Sequence, residues 1–245
     1  MLESIYHTVL AFSLLICFLS LFATKKEELP VHRLIFVTMG WVLVFESYGL
    51  ITARQGINNS LLYNVSWVYI ESTLLITYFY LLEKNTLFKK RIIQISLFIL
   101  SLGLVNSIFF QSITHSLQYY TLLPFGLLIV ILSIRLLKNI LNLKLYPDHN
   151  LMEIPHFWIS STVLFFYIEA LVLFGTYQLN PGFVVKNVNI LFSINKLMAG
   201  LMYLFFGIAF IFPHLTKNLN ILKTGLVFLF IITNISVIFS FPLKF

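Results

Sequence analysis

Eight stretches of about twenty mostly apolar residues dominate the chain, at 4–23, 33–53, 62–82, 92–111, 118–138, 157–178, 188–212 and 222–241. An α-helix rises 1.5 Å per residue, so about 20 residues cross a hydrocarbon core of roughly 30 Å. In lipid every backbone N–H and C=O must be satisfied within the protein, and a helix does this inside one segment. The pattern predicts an all-α membrane protein. Residues 1–212 form a seven-transmembrane-helix bundle; residues 213–245 supply a short cytoplasmic link and an eighth, C-terminal transmembrane helix. The connections carry the helix breakers: Pro30, Gly56 with Asn58 and Asn59, Asp148 to Asn150, Pro155, Pro181 with Gly182, and Pro213. None is long enough for a soluble domain, and no internal repeat of the transporter kind is visible.

Composition points the same way. The chain is 59% apolar and 10% charged, against roughly 45–50% and about a quarter in soluble domains. Such a surface needs lipid as its solvent. Cys17 is the single cysteine, which excludes an intrachain disulfide and a thiolate metal cluster. Met1 to His7 carries Glu3 but no Lys or Arg, and no small-residue cleavage site follows. The first stretch is therefore expected to be a retained helix.

The net charge of +7 is distributed by side. One set of connections holds Lys25, Lys26, Arg33, Lys84, Lys89, Lys90, Arg91, Arg135, Lys138, Lys144, Lys217 and Lys223. The other holds only Arg54, Lys186 and Lys244. The positive-inside rule makes the basic side cytoplasmic and places the N terminus outside, together with the C terminus if the eighth helix spans. The basic residues are thus accounted for as topology signals with anionic-lipid contacts, and no nucleic acid is expected as a partner.

Four ionisable side chains fall inside the stretches: Glu46, Glu71, Glu169 and Lys196. Each costs about 2.5–3.5 kcal/mol at the centre of an isolated span, so none is expected to face lipid. All four lie in one layer slightly outside the midplane, which requires spans two, three, six and seven to surround a common interior. Residues at helical spacing extend that polar surface: Asn189, Ser193, Lys196, Gly200, Tyr203 and Gly207 on span seven; Asn64, Trp67, Glu71 and Tyr78 on span three; Thr162, Glu169 and Thr176 on span six. One Lys neutralises one of three Glu. The expectation is a polar cavity holding a ligand or protons at Glu46, Glu71, Glu169 and Lys196. Its lining would be Asn64, Trp67, Tyr78, Thr162, Asn189, Ser193 and Tyr203. The competing reading is a structural clamp, in which a buried Glu–Lys pair only fixes helix packing.

No nucleophile with its base, no phosphate-cradling glycine loop and no nucleotide motif occurs, so no enzymatic activity is expected. His7, His32, His115, His149, His156 and His214 show no ligand-type pairing. They are expected to be solvated at span ends, with no metal and no cofactor.

Several short segments carry a resemblance. Asn58-Asn59-Ser60-Leu61-Leu62-Tyr63 leads into a span with a central Glu71, and Asn106-Ser107-Ile108-Phe109-Phe110-Gln111-Ser112 closes span four. Phe157-Trp158-Ile159-Ser160-Ser161 opens span six, and Ile194-Asn195-Lys196 precedes Leu204-Phe205-Phe206-Gly207-Ile208-Ala209-Phe210. Over about residues 30–212 the chain resembles a family of multi-helix integral membrane proteins of bacteroidete bacteria that often lack any soluble domain. The family brings no established activity. Its layout resembles the membrane part of bacterial sensors, which implies a bacterial inner-membrane location. Residues 221–245 lie outside that pattern. Lys196 on span seven and Glu71 on span three also resemble the Schiff-base lysine and counter-ion of microbial rhodopsins. However, Glu71 follows Trp67 by four residues, unlike the rhodopsin spacing, and Lys196 sits nearer the outer face.

The sequence is read as a receptor or sensor-like module signalling through a separate cytoplasmic or membrane protein. The alternative is a small-solute or proton-coupled transporter with Glu169 or Glu71 carrying the proton. A structural membrane component and a retinal-binding protein are lesser alternatives.

Overall fold

The computed structural model describes residues 2–142, 145–146 and 150–213. These residues contain no strand. Seven helices are long and apolar enough to cross a membrane: α1 Ser4–Leu21, α2 Leu29–Arg54, α3 Ser60–Leu82, α4 Thr86–Phe109, α5 Tyr119–Leu141, α6 Pro155–Leu179 and α7 Val188–Ile211. The chain is therefore a polytopic all-α membrane bundle. The expected eighth helix at 222–241 lies outside the described residues.

Local chemistry sets the helix ends. Pro30 and Pro155 sit in the first turns of α2 and α6, where no backbone N–H is needed. Asn85 caps α4 by accepting from the Phe88 N–H at 3.0 Å. Asn180 accepts from the Phe183 N–H at 3.1 Å and starts a short helix, Pro181–Lys186, before α7. Gly56 turns the chain between α2 and α3 with φ of 71°, a left-handed conformation that glycine adopts without a side-chain clash.

Packing closes a ring. α1 lies against α2 and α7, α7 against α6, α6 against α5, α5 against α3, and α3 against α2. Half of the apolar stretch is buried in α3 and in α5, against 22% in α4, which packs outside the ring on α5 and α3. α4 presents Leu97, Phe98, Leu104 and Ile108 outward, as a helix with a broad lipid-facing side does. α1 and α7 approach closely because Gly207 has no side chain. A Cβ there would stand 2.5 Å from the Ser13 carbonyl oxygen.

The α3 helix is not regular. Asn64–Glu71 winds as a π-helix, with the Ser72 N–H reaching the Trp67 carbonyl five residues back. The Ser72 hydroxyl donates to the same carbonyl at 3.3 Å. Wide turns of this kind are usually single bulges and occur often at functional sites.

Two histidines depart from their expected place. His32 and His156 are buried, at 0% and 1% exposure, near the end of the bundle opposite the N terminus. His32 stacks on Phe210 at 3.8 Å and its ring nitrogens meet Ser20 Oγ at 3.1 Å and Thr24 Oγ1 at 2.6 Å. His156 Nδ1 lies 2.9 Å from the Tyr78 hydroxyl. Each ring is desolvated by packing but keeps a hydrogen-bond partner, the condition on which a polar side chain is buried cheaply. His115 is exposed as expected, while His149 and His214 lie outside the described residues.

Candidate functional site

A cavity of about 460 Å³ opens at the end of the bundle that carries the start of α1. Its floor and walls come from five helices: Tyr6 of α1; Phe45 and Glu46 of α2; Tyr63, Trp67 and Glu71 of α3; Phe166 and Phe174 of α6; and Lys196 with Tyr203 of α7. The α2–α3 turn forms the rim. There Asn59 is tied to α2, its amide donating to the Gly49 carbonyl at 2.8 Å and its Oδ1 accepting from Thr52 at 2.6 Å.

Glu71 lies at the bottom and is fully buried. Its Oε1 accepts from the Tyr203 hydroxyl at 2.7 Å. Its Oε2 is buried without a hydrogen-bond partner among the described residues, and so is the indole N–H of Trp67. Trp67 and Glu71 are four residues apart within the π-helix, which brings both to the cavity.

Glu46 stands higher on the wall. It accepts from the Tyr6 hydroxyl at 3.3 Å and from the Tyr63 hydroxyl at 3.1 Å. Gly49, three residues on, makes room for this: a Cβ there would stand 3.0 Å from the Tyr63 hydroxyl oxygen. Lys196 lines the same space, and its charge interacts with that of Glu46.

The structure therefore brings Glu46, Glu71, Lys196, Trp67 and Tyr203 to one cavity. The remaining candidates have other positions. Glu169 accepts from the Asn195 amide at 2.8 Å, and it is Asn195 that lines the cavity. Asn64 turns the other way. Its amide donates to the carbonyls of Ile113 and Ser116 at 2.8 Å, and its Oδ1 accepts from the Gln118 N–H at 2.9 Å. Tyr78 faces His156, far down α3. Thr162 bonds back to the Trp158 carbonyl at 3.0 Å, Asn189 is exposed, and Ser193 is half-buried away from the lining.

The reason for Asn64 is the π segment. Closing rings at i+5 puts more residues in each turn, so the angle between successive side chains shrinks. Over the seven steps to Glu71 the difference exceeds roughly a right angle, and Asn64 leaves the face it would share in an α-helix. Tyr6, Tyr63 and Asn195 were missed by sequence reasoning. Nothing in their spacing separates them from ordinary interfacial polar residues.

Among the described residues no group of three or more His, Cys, Asp or Glu is placed to hold a metal ion. No family model matches this chain, and neither a curated protein nor a solved structure matches it.

Proposed function

We propose that this membrane protein is a receptor-type module whose cavity, open to the outer side, takes a small ligand and passes its occupancy to a separate signalling protein. One observation carries the reading: Glu71 and Trp67 both line the cavity, and the Glu71 Oε2 and the Trp67 N–H are both buried with no hydrogen-bond partner among the described residues. A buried polar group without a partner costs about 1–3 kcal/mol, and an occupant offering a donor and an acceptor removes that cost. Lys196 shares the cavity with these groups, and Glu169 supports it by holding Asn195. The resemblance to sensor-like bacterial membrane proteins and the outward N terminus belong to the same proposal. In this reading the basic connections on the cytoplasmic side are the surface at which the partner senses the shift in helix packing.

The test uses Ala199→Cys in a Cys17→Ser background in lipid nanodiscs. N-Ethylmaleimide attached at position 199 serves as a surrogate occupant, and amide hydrogen exchange is followed in the connections 22–28 and 83–85. Altered exchange at that far end supports the receptor reading; unchanged exchange after full modification counts against it.

A transporter is the second reading, and the buried polar residues below Glu71 favour it. Ser72, Tyr167, Tyr78, Ser160 and His156 are all essentially unexposed, with Tyr167 beside Ser72 and Tyr78 beside Ser160. Tyr78 and His156 carry the series toward the opposite end. Proton uptake into proteoliposomes that disappears in Glu71→Gln selects this reading over the first.

A further inference from the structure

The chemistry of the walls narrows what the cavity takes. Eight of its seventeen lining residues are aromatic. Trp67, Phe174, Phe166 and Phe192 form a connected surface, with Trp67–Phe174 centroids at 5.2 Å, Trp67–Phe166 at 6.4 Å and Phe174–Phe192 at 6.0 Å. The carboxyl groups of Glu46 and Glu71 outnumber the single ammonium of Lys196. Glu46 already takes two tyrosine hydroxyls and the influence of Lys196, whereas Glu71 takes one hydroxyl and its buried Oε2 has no partner among the described residues.

Resting on the receptor reading, we infer that the ligand is a monovalent organic ammonium ion carrying an acceptor oxygen close to its nitrogen. The ammonium N–H donates to Glu71 Oε2, and the oxygen accepts from the Trp67 indole. The apolar body lies on Phe166, Phe174 and Phe192. Aromatic faces carry negative quadrupole potential and attract a desolvated cation, with Trp the strongest. An anion meets two carboxyl groups for one ammonium, and a bare inorganic cation leaves the apolar walls uncovered and offers the Trp67 indole no acceptor.

Three probes of similar shape separate the classes: phenylalanine amide (a cation with a carbonyl), 3-phenylpropanamide (neutral) and 3-phenylpropanoate (an anion). Binding is read in nanodiscs by Trp67 fluorescence in a Trp41→Phe/Trp158→Phe variant and by the melting temperature of the unsubstituted protein. The expected result is a saturable change with phenylalanine amide, weakened about tenfold or more in Glu71→Gln and for the neutral probe. Equal or tighter binding of the neutral or anionic probe overturns the ammonium assignment but leaves the cavity reading standing. No response to any probe by either readout also overturns the assignment. Modification of Ala199→Cys by N-ethylmaleimide then decides the cavity reading separately: a reactive thiol keeps it, and an inert thiol removes both.

Discussion

The Tyr203 hydroxyl donates to the Glu71 carboxyl at 2.7 Å, joining α7 to α3 across 132 residues of sequence in a fully buried setting. It is the one donor to Glu71 among the described residues, so the carboxyl depends on it. Tyr203→Phe is expected to lower unfolding stability by about 1–3 kcal/mol, the cost of leaving a buried acceptor unmatched. Glu71→Gln keeps an acceptor for Tyr203 and removes a buried carboxyl, so its loss is expected to be smaller. Denaturant unfolding in mixed micelles checks this; a harmless Tyr203→Phe would show that the bond contributes nothing.

Gly207 and Gly200 lie on the same helix but differ in what surrounds them. A Cβ at 207 meets the Ser13 backbone, which cannot move aside alone, whereas one at 200 makes an ordinary 3.6 Å contact with Tyr6. Gly207→Val is expected to destabilise by about 1–3 kcal/mol or more through separation of α1 from α7. Gly200→Ala should cause no loss, since Ala is the better helix former by about 1 kcal/mol. Melting temperatures of the two variants test the contrast, and equal behaviour would refute it.

Asn64 holds the 110–118 connection to α3 through three hydrogen bonds. Asn64→Ala strands the buried Gln118 N–H and removes two bonds to the partly exposed Ile113 and Ser116 carbonyls, and is expected to cost about 1–3 kcal/mol. Faster amide exchange confined to residues 113–118 would be the local signature. Unchanged exchange there would mean that water replaces the side chain without penalty.

Glu83, just beyond the end of α3, has its carboxyl pKa held below the usual range. Partial burial pushes it up, but the hydrogen bond from Arg135 and the Asn85 N–H at 2.8 Å outweigh that. Arg135 is itself steadied over the Phe88 ring at 3.7 Å. A depressed folded-state pKa contributes stability that is complete at neutral pH and is lost as pH falls through the folded value. At pH 7, Glu83→Gln should therefore be less stable by up to about 1 kcal/mol, since solvent screens the pair. The gap to the unsubstituted protein should close as pH is lowered toward about 3, below the ordinary Glu value. Paired melts at the two pH values measure it, and a gap independent of pH would rule out the carboxylate as its source.

Some of this was open to sequence reasoning and some was not. The seven described spans were legible because burial in lipid is a local, nearly additive property of about twenty consecutive side chains. The cost of intramembrane charge likewise singled out Glu46, Glu71, Glu169 and Lys196, with no structure needed. Which of them share a cavity was a tertiary matter. Periodicity assumed a uniform α-helix, and the π segment Asn64–Glu71 kept Trp67 with Glu71 while turning Asn64 toward the α4–α5 connection. Glu169 met Asn195, and Tyr6 of α1 met Glu46, because helix rotation and neighbour choice follow from close packing such as Gly207 on Ser13. His32 and His156 were read as solvated from their place near span ends. Phe210 packs against both rings, while Ser20, Thr24 and Tyr78 supply their polar contacts. Hydropathy along one segment determines that it enters the membrane. Contacts between segments distant in sequence decide which side chains meet there, and no single segment encodes them.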